Sequence, residues 1–196
     1  MRVLAIDTTT TIGSLALVDG ERTVAEARLE APDGLGEILF GAIEALLAEN
    51  GWTLGDIDLF AAAAGPGSFT GVRVGLTAVK GLAEACGKPA AGVSNLKALA
   101  SLGQGALRGA VLDARRGDIY GAVYDAELAL VQAEVVMPLA DWKAQLPAGE
   151  VEIVEGPLPL AAAIGRIAQR QGGVDPAAVD ASYVRRPEAE MLWKDA

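Results

Sequence analysis

Histidine is absent from the 196-residue sequence, and cysteine occurs once, as Cys86. Without histidine no Ser-His-Asp triad, Cys-His dyad or histidine-bound zinc can form. One cysteine excludes an intrachain disulfide and a thiolate metal cluster. Folding then needs no oxidising compartment, and the chain is expected in the cytoplasm. Cys86 itself reads as a small hydrophobe near a helix end. Basic residues are scarce: 16 Lys and Arg stand against 26 Asp and Glu, a net charge of −10. Such a chain lacks the electrostatic footprint of a protein that grips nucleic acid alone. Long apolar runs are missing too. The longest uncharged stretch, residues 59–72, has 14 residues and is broken by Gly65-Pro66-Gly67; a membrane-spanning helix needs about 20. The N-terminal apolar run, residues 3–6, is too short for a secretory leader. Hydrophobic residues in total are plentiful, at 52%. That is too many for a disordered chain and enough for one large domain or two small lobes.

The hydrophobic pattern opens as a meander. Residues 3–6 are a short apolar run closed by Asp7 and four threonines, the mark of a buried strand. Residues 13–18 and 23–29 read as two more strands, with a hairpin signal at Asp19-Gly20. A helix over residues 35–47 follows, with Asp33 as its expected N-cap and Asn50-Gly51 as its stop. A strand over 58–64, a loop at Gly65-Pro66-Gly67-Ser68, a helix over 69–86, a strand over 90–93 and a helix from Ser94 to about residue 102 complete the first half. Gly103, Gly105 and Gly109 suggest a boundary, with lobes over 1–103 and 104–196.

The second half begins in the same way. Residues 110–112 are apolar and closed by Asp113, and 118–125 and 128–136 read as strands. At an offset of 106 residues Asp7 meets Asp113, Ala16 meets Ala122 and Asp19 meets Asp125, as an internal duplication would require. A helix over 138–146, a strand over 151–155, a turn at Gly156-Pro157 and a helix over 158–171 continue the copy. The tail from 175 reads as irregular, with an extended piece around Tyr183. Two βββαβα lobes in tandem, each opening on a strand that ends in Asp, describe a duplicated α/β fold, either of the actin-like or sugar-kinase ATPase (ASKHA) type or without such a site.

Two elements invite a functional reading. The Gly65–Gly71 loop lies between a strand and a helix, where backbone N–H groups can meet an anion. It is not a Walker A loop, since no Lys-Ser or Lys-Thr follows, and on the residues alone a tight turn capped by Ser68 is the preferred reading. The helix after it gives up about 3 kcal/mol of propensity at Gly71, Gly75 and Gly81, which points to close approach of another backbone, in this chain or in a second subunit. The first helix is apolar over an arc of about 200°, wider than the roughly 100° stripe of a surface helix. It is therefore sandwiched in its own fold or docked on a partner.

Three blocks together carry a resemblance. Ala5-Ile6-Asp7-Thr8-Thr9, the run Gly65-Pro66-Gly67-Ser68-Phe69-Thr70-Gly71-Val72-Arg73-Val74-Gly75-Leu76, and Asp113-Ala114-Arg115-Arg116-Gly117 before Tyr120 resemble the TsaB (YeaZ) family. Tyr183-Val184-Arg185 is similar to its closing motif. Ala181 stands where proline is usual, and the His-Ser often seen at the start of the first helix is missing. The resemblance implies a duplicated actin-like fold with a reduced second lobe, and a non-catalytic subunit. Its partner would be a TsaD-like enzyme that transfers threonylcarbamoyl to the adenosine beside the tRNA anticodon, with a TsaE-like ATPase joining.

ATP or ADP and metal would then sit on partner subunits, with no cofactor, metal ligand or catalytic residue on this chain. tRNA would be met through the complex, and the isolated chain would form a homodimer. The first two helices would form the pairing surface, through Leu35, Ile38, Leu39, Ala42, Ile43 and Leu46 on one and Gly71, Val72, Arg73, Gly75 and Leu76 on the other. In that case bulk at Gly75 would block pairing and leave the melting temperature alone. Asp7, Thr8, Gly65, Gly67, Ser68 and Asp113 would be a vestigial nucleotide site. The competing reading is a small free-standing kinase or ATPase, with Asp7 and Asp113 holding magnesium. A peptidase would lack its histidines and be left only a Ser-Lys dyad.

Overall fold

A computed structural model describes residues 1–32, 34–182 and 184. Strands β1 (Arg2–Asp7), β2 (Ile12–Asp19) and β3 (Arg22–Glu30) precede helix α1 (Leu35–Glu49), strand β4 (Leu59–Gly65), helix α2 (Phe69–Cys86), strand β5 (Ala90–Ser94) and helix α3 (Asn95–Ala100). Then come β6 (Leu107–Arg115), β7 (Asp118–Asp125), β8 (Leu130–Pro138), α4 (Leu139–Ala144), β9 (Val151–Glu155) and α5 (Ala161–Gln171). One sheet has the order β3-β2-β1-β4-β5 and the other β8-β7-β6-β9. In each, an antiparallel meander is joined by a strand returning parallel to the first: β4 beside β1 and β9 beside β6. Both parallel strands run into a cis Gly-Pro bond, Gly65-Pro66 and Gly156-Pro157. Among the described residues the second sheet has no counterpart of β5. This is the duplicated actin-like fold with a reduced second lobe.

Small differences from the sequence reading have local causes. The helix expected from residue 158 starts at Ala161, because Pro159 disfavours a helical conformation at the residue before it. The strand expected from residue 128 starts at Leu130. Before it, the Asp125 carboxylate accepts the N–H groups of Glu127 and Ala129 at 3.0 and 2.8 Å, and this turns the chain. Helix α1 is capped at Gly34 without a side-chain bond; Asp33, Tyr183 and Arg185 lie outside the described residues. The fixed offset of 106 fails in detail. Asp7 pairs with Ser14, but Asp113 pairs with Ile119 and not with Tyr120. The second hairpin is one residue shorter, so no single offset aligns both of its strands.

The elements stack in five layers. Helices α1 and α2 cover one face of the first sheet, α3 and α5 lie between the sheets, and α4 covers the far face of the second. Strand alternation divides the side chains accordingly. Leu4, Ile6, Leu15 and Leu17 face α1 and α2, whereas Val3, Ala5, Ala16 and Val18 face the central helices. The central layer is rich in small residues, and a Cβ at Gly165 would lie 2.8 Å from Val18 and 3.3 Å from Ala5. The division at 103/104 follows the sheets but not the packing, because α5 from the second half lies on β1, β2, β4 and β5 of the first.

Under the second sheet, Trp142 of α4 is fully buried. Its indole lies over Gly109 and Gly121, where a Cβ would come within 2.9 Å of the ring. Its Nε1 finds no acceptor among the described residues. Trp142→Ala is expected to cost about 3–5 kcal/mol, a fall in melting temperature of roughly 6–20 °C for a chain of this size. Trp142→Phe should cost much less, since no indole hydrogen bond is lost. Thermal melts of the two variants check both.

Candidate functional site

The first β-hairpin and the glycine loop meet at the carboxyl end of β1. Asp7 is buried, and its Oδ1 accepts the Thr9 N–H at 2.9 Å and the Thr9 hydroxyl at 2.6 Å. Thr9 Oγ1 in turn accepts from Asn95 Nδ2 at 2.5 Å, and Asn95 Oδ1 accepts the Gly65 N–H at 3.2 Å. Asn95 is the first residue of α3, so one buried side chain links hairpin, loop and central helix. Burial pushes the Asp7 carboxyl above its ordinary range, against the lowering effect of its bonds from Thr9.

The loop closes on the hairpin. The Ser68 N–H donates to the Thr9 carbonyl at 2.8 Å, the Thr8 hydroxyl donates to the Gly71 carbonyl at 2.7 Å, and the Gly71 N–H donates to Ser68 Oγ at 3.3 Å. A Cβ at Gly67 would lie 2.7 Å from the Thr9 Cβ, and one at Gly65 would lie 2.7 Å from the Ser182 carbonyl. Within this loop Ser68, Gly65 and Gly71 direct their N–H groups at the chain itself, and Thr9 fills the space over Gly67. Asp113, the counterpart of Asp7 in the sequence repeat, is placed differently. It is exposed, and its Oδ1 accepts the Arg115 N–H at 2.8 Å. Among the described residues no group of three or more His, Cys, Asp or Glu is placed to hold a metal. Asn95 carries no spacing signal; only its place after the capping Ser94 marked it.

The glycines of α2 serve this packing. A Cβ at Gly71 would lie 2.0 Å from the Thr8 carbonyl, and one at Gly75 would lie 2.7 Å from Thr8 Oγ1. Their close approach is to β1 and its hairpin, not to a second subunit. Most of the expected pairing residues need the same correction. Leu35, Leu39, Ile43, Leu46, Val72, Gly75 and Leu76 are buried in this chain, where the first sheet needs an apolar cover. Ala42 and Gly71 are half-buried, and Ile38 and Arg73 are exposed.

What α1 and α2 leave open is a groove between them of about 740 Å³, lined among others by Gly36, Phe40, Phe69, Arg73, Val74 and Thr77. Phe40 is 58% and Phe69 43% exposed, a large apolar area to leave in water. The Arg73 guanidinium stands 3.9 Å over the Phe69 ring, so the rim carries a cation held by an aromatic face. Phe40 falls on the wide apolar arc of the first helix, and its exposure separates it from the inward residues Leu39 and Ile43.

A family model described as TsaD, tRNA N6-adenosine threonylcarbamoyltransferase, matches residues 31–155. The chain is 39% identical to the tRNA threonylcarbamoyladenosine biosynthesis protein TsaB of Escherichia coli over 131 residues, 63% of this chain and 55% of that one. It is 34% identical to the Bacillus subtilis protein of the same name over 149 residues, 72% of this chain and 64% of that one. The matches thus span about half to two thirds of these relatives. The solved structure of YeaZ from Pseudomonas aeruginosa superposes with a TM-score of 0.77 at 27% identity, over 93% of this chain and 99% of that one.

Two outcomes follow from the site geometry. Gly75→Leu should lower the melting temperature of the isolated chain, since overpacking of this kind typically costs about 1–3 kcal/mol; an unchanged melt would return the glycine to an intermolecular role. For Asp7, the folded state holds the proton more tightly than the unfolded chain. Its contribution is therefore fully present below the ordinary carboxylate value and is lost as pH rises through the raised one. Across pH 4 to 7 the melting temperature of Asp7→Asn should gain on that of the native chain. A gap moving the other way would mean that the bonds from Thr9 outweigh burial.

Proposed function

The chain belongs to the TsaB (YeaZ) family, within the wider group matched by the TsaD family model, and on that premise we propose that it is an accessory subunit for threonylcarbamoyladenosine synthesis in tRNA. Its partner is a TsaD-like subunit, which carries the metal and nucleotide and performs the transfer. A TsaE-like ATPase joins this assembly in the cytoplasm. The observation that supports this reading is the exposed apolar groove between α1 and α2. Phe40 and Phe69 offer the aromatic anchors that dominate interfaces, and Arg73 adds a polar rim.

Chemistry on this chain itself has little to work with. With no histidine, the sequence offers no imidazole base. Its most buried carboxylate, Asp7, is engaged with Thr9. At a net charge of −10 the chain meets tRNA in the company of a more basic partner. In the absence of that partner the same groove takes a second copy of the chain, giving a homodimer.

Phe40→Asp tests the groove. Phe40 is largely exposed, so the melting temperature should change by less than about 2 °C. A buried charge facing an apolar partner should weaken association by at least about tenfold, or about 1.4 kcal/mol, and reduce tRNA modification by the reconstituted complex in step. Pairing and modification at native levels would place the partner elsewhere on the fold.

A further inference from the structure

Strand β3 ends the first sheet, with β2 on one side and no further strand on the other among the described residues. Its side chains alternate. Glu26, Arg28 and Glu30 are exposed on one face, and Ala25, Ala27 and Leu29 turn to the other, towards α1. Charges on an edge strand ordinarily discourage pairing with another chain. This set matches itself in one register. Two copies of β3 related by a dyad run antiparallel, and residues directly opposite share a face. A dyad at Glu26 sets that residue against its own copy. One at Arg28 sets Arg28 against Arg28 and Glu26 against Glu30. A dyad at Ala27 sets Glu26 of each copy against Arg28 of the other, and no like charges meet. Such opposite pairs stabilise a strand pair and like pairs destabilise it.

The backbone selects the same register. Leu17 pairs with Ala25 and Val18 with Thr23, so Val24 is bulged, whereas pairing is regular from Ala25 to Glu30. A dyad at Ala27 uses residues 25–29, all inside the regular stretch. Dyads nearer the start of β3 cross the bulge, and one at Leu29 leaves only three residues before the strand ends. Helix α1 supplies a separate observation. It covers β3 and β2, while α2 covers β4 and β1, so the flank of α1 away from α2 overhangs the edge. At about 100° per residue, Ile38, Ala42 and Ala45 lie on that flank, opposite Gly36 and Phe40 of the groove. Ile38 is 37% exposed and Ala45 is exposed. Strands in a sheet lie about 4.8 Å apart, so a helix seated over β2 and β3 is about 5 Å from the dyad. Two such helices stand about 10 Å apart, at the upper end of helix packing distances.

We infer that two copies of the chain join edge to edge through β3, with Glu26–Arg28 pairs on one face of the continuous sheet and the Ile38 flanks of α1 meeting on the other. The contact does not depend on the proposed function, since the groove on the other flank of α1 stays open. Phe40→Asp removes pairing through the groove and so isolates the β3 contact. The mass of that variant in solution, over a concentration series, should be that of a dimer. Adding Glu26→Arg sets like charges opposite each other twice and should weaken the dimer at least about tenfold. Adding Arg28→Glu as well should restore most of it. These surface changes should move the melting temperature by less than about 2 °C. If one melts lower, Ile38→Asp decides in the same assay, with loss of the dimer expected. A monomer at every concentration overturns the inference, as does a dimer indifferent to Glu26→Arg or, where it decides, to Ile38→Asp. A monomeric Phe40→Asp chain that has also lost its TsaD-like partner overturns the β3 contact and leaves the groove reading standing.

Discussion

Asn95 is the side chain on which the first lobe closes. Its amide accepts the Gly65 N–H and donates to Thr9, and the Thr9 hydroxyl donates to Asp7. Three donors in series thus point towards one buried carboxylate, an arrangement in which each bond polarises the next. The consequences reach beyond hydrogen bonding. Holding Thr9 in place sets the position of its carbonyl, which accepts Ser68 N–H at the start of α2. Holding Thr8 sets the surface against which Gly71 and Gly75 lie without a Cβ. The seat of α2 on the sheet, and with it the groove between α2 and α1, is fixed from a node in the central layer.

The groove is a product of how α1 divides its apolar surface. A 15-residue helix covering a sheet needs one inward stripe, and Leu35, Leu39, Ile43, Leu46 and Leu47 supply it. Ile38 and Phe40 lie outside that stripe and stay exposed. On α2, Val72, Leu76 and Val79 face inward while Phe69 and Arg73 face out. The wide arc seen in the sequence was therefore two adjoining surfaces, one for the fold and one left over. Only the leftover surface can serve a partner without unfolding the chain.

That distinction marks where the sequence ceased to be legible. The apolar run of β1, the capping Ser68 and the Gly-Pro pairs after two parallel strands are local signals, and each marks its element. Periodicity measures how much of a helix is apolar and is silent on which neighbour covers it. So the inward residues of α1 and α2 were assigned to a partner, and Gly71 and Gly75 with them. Asn95 was invisible for a related reason: its role depends on Gly65 and Thr9, 30 and 86 residues away. The offset between the repeats failed because a hairpin shortened by one residue leaves identities intact on each side while shifting the pairing between them.

The two halves have put the same starting plan to different uses. In the first, the carboxylate after the opening strand is buried, bonded to Thr9 and covered by the glycine loop. In the second, Asp113 is exposed and holds only its own turn. Among its described residues the second half has no fifth strand, and its helix α5 lies on the first sheet, tied to the first half by Arg166 to Thr23 and Arg170 to Glu21. A nucleotide cleft of this fold needs two hairpins facing a shared opening. Here one hairpin is closed over its own loop, and the other ends in an exposed, strained turn.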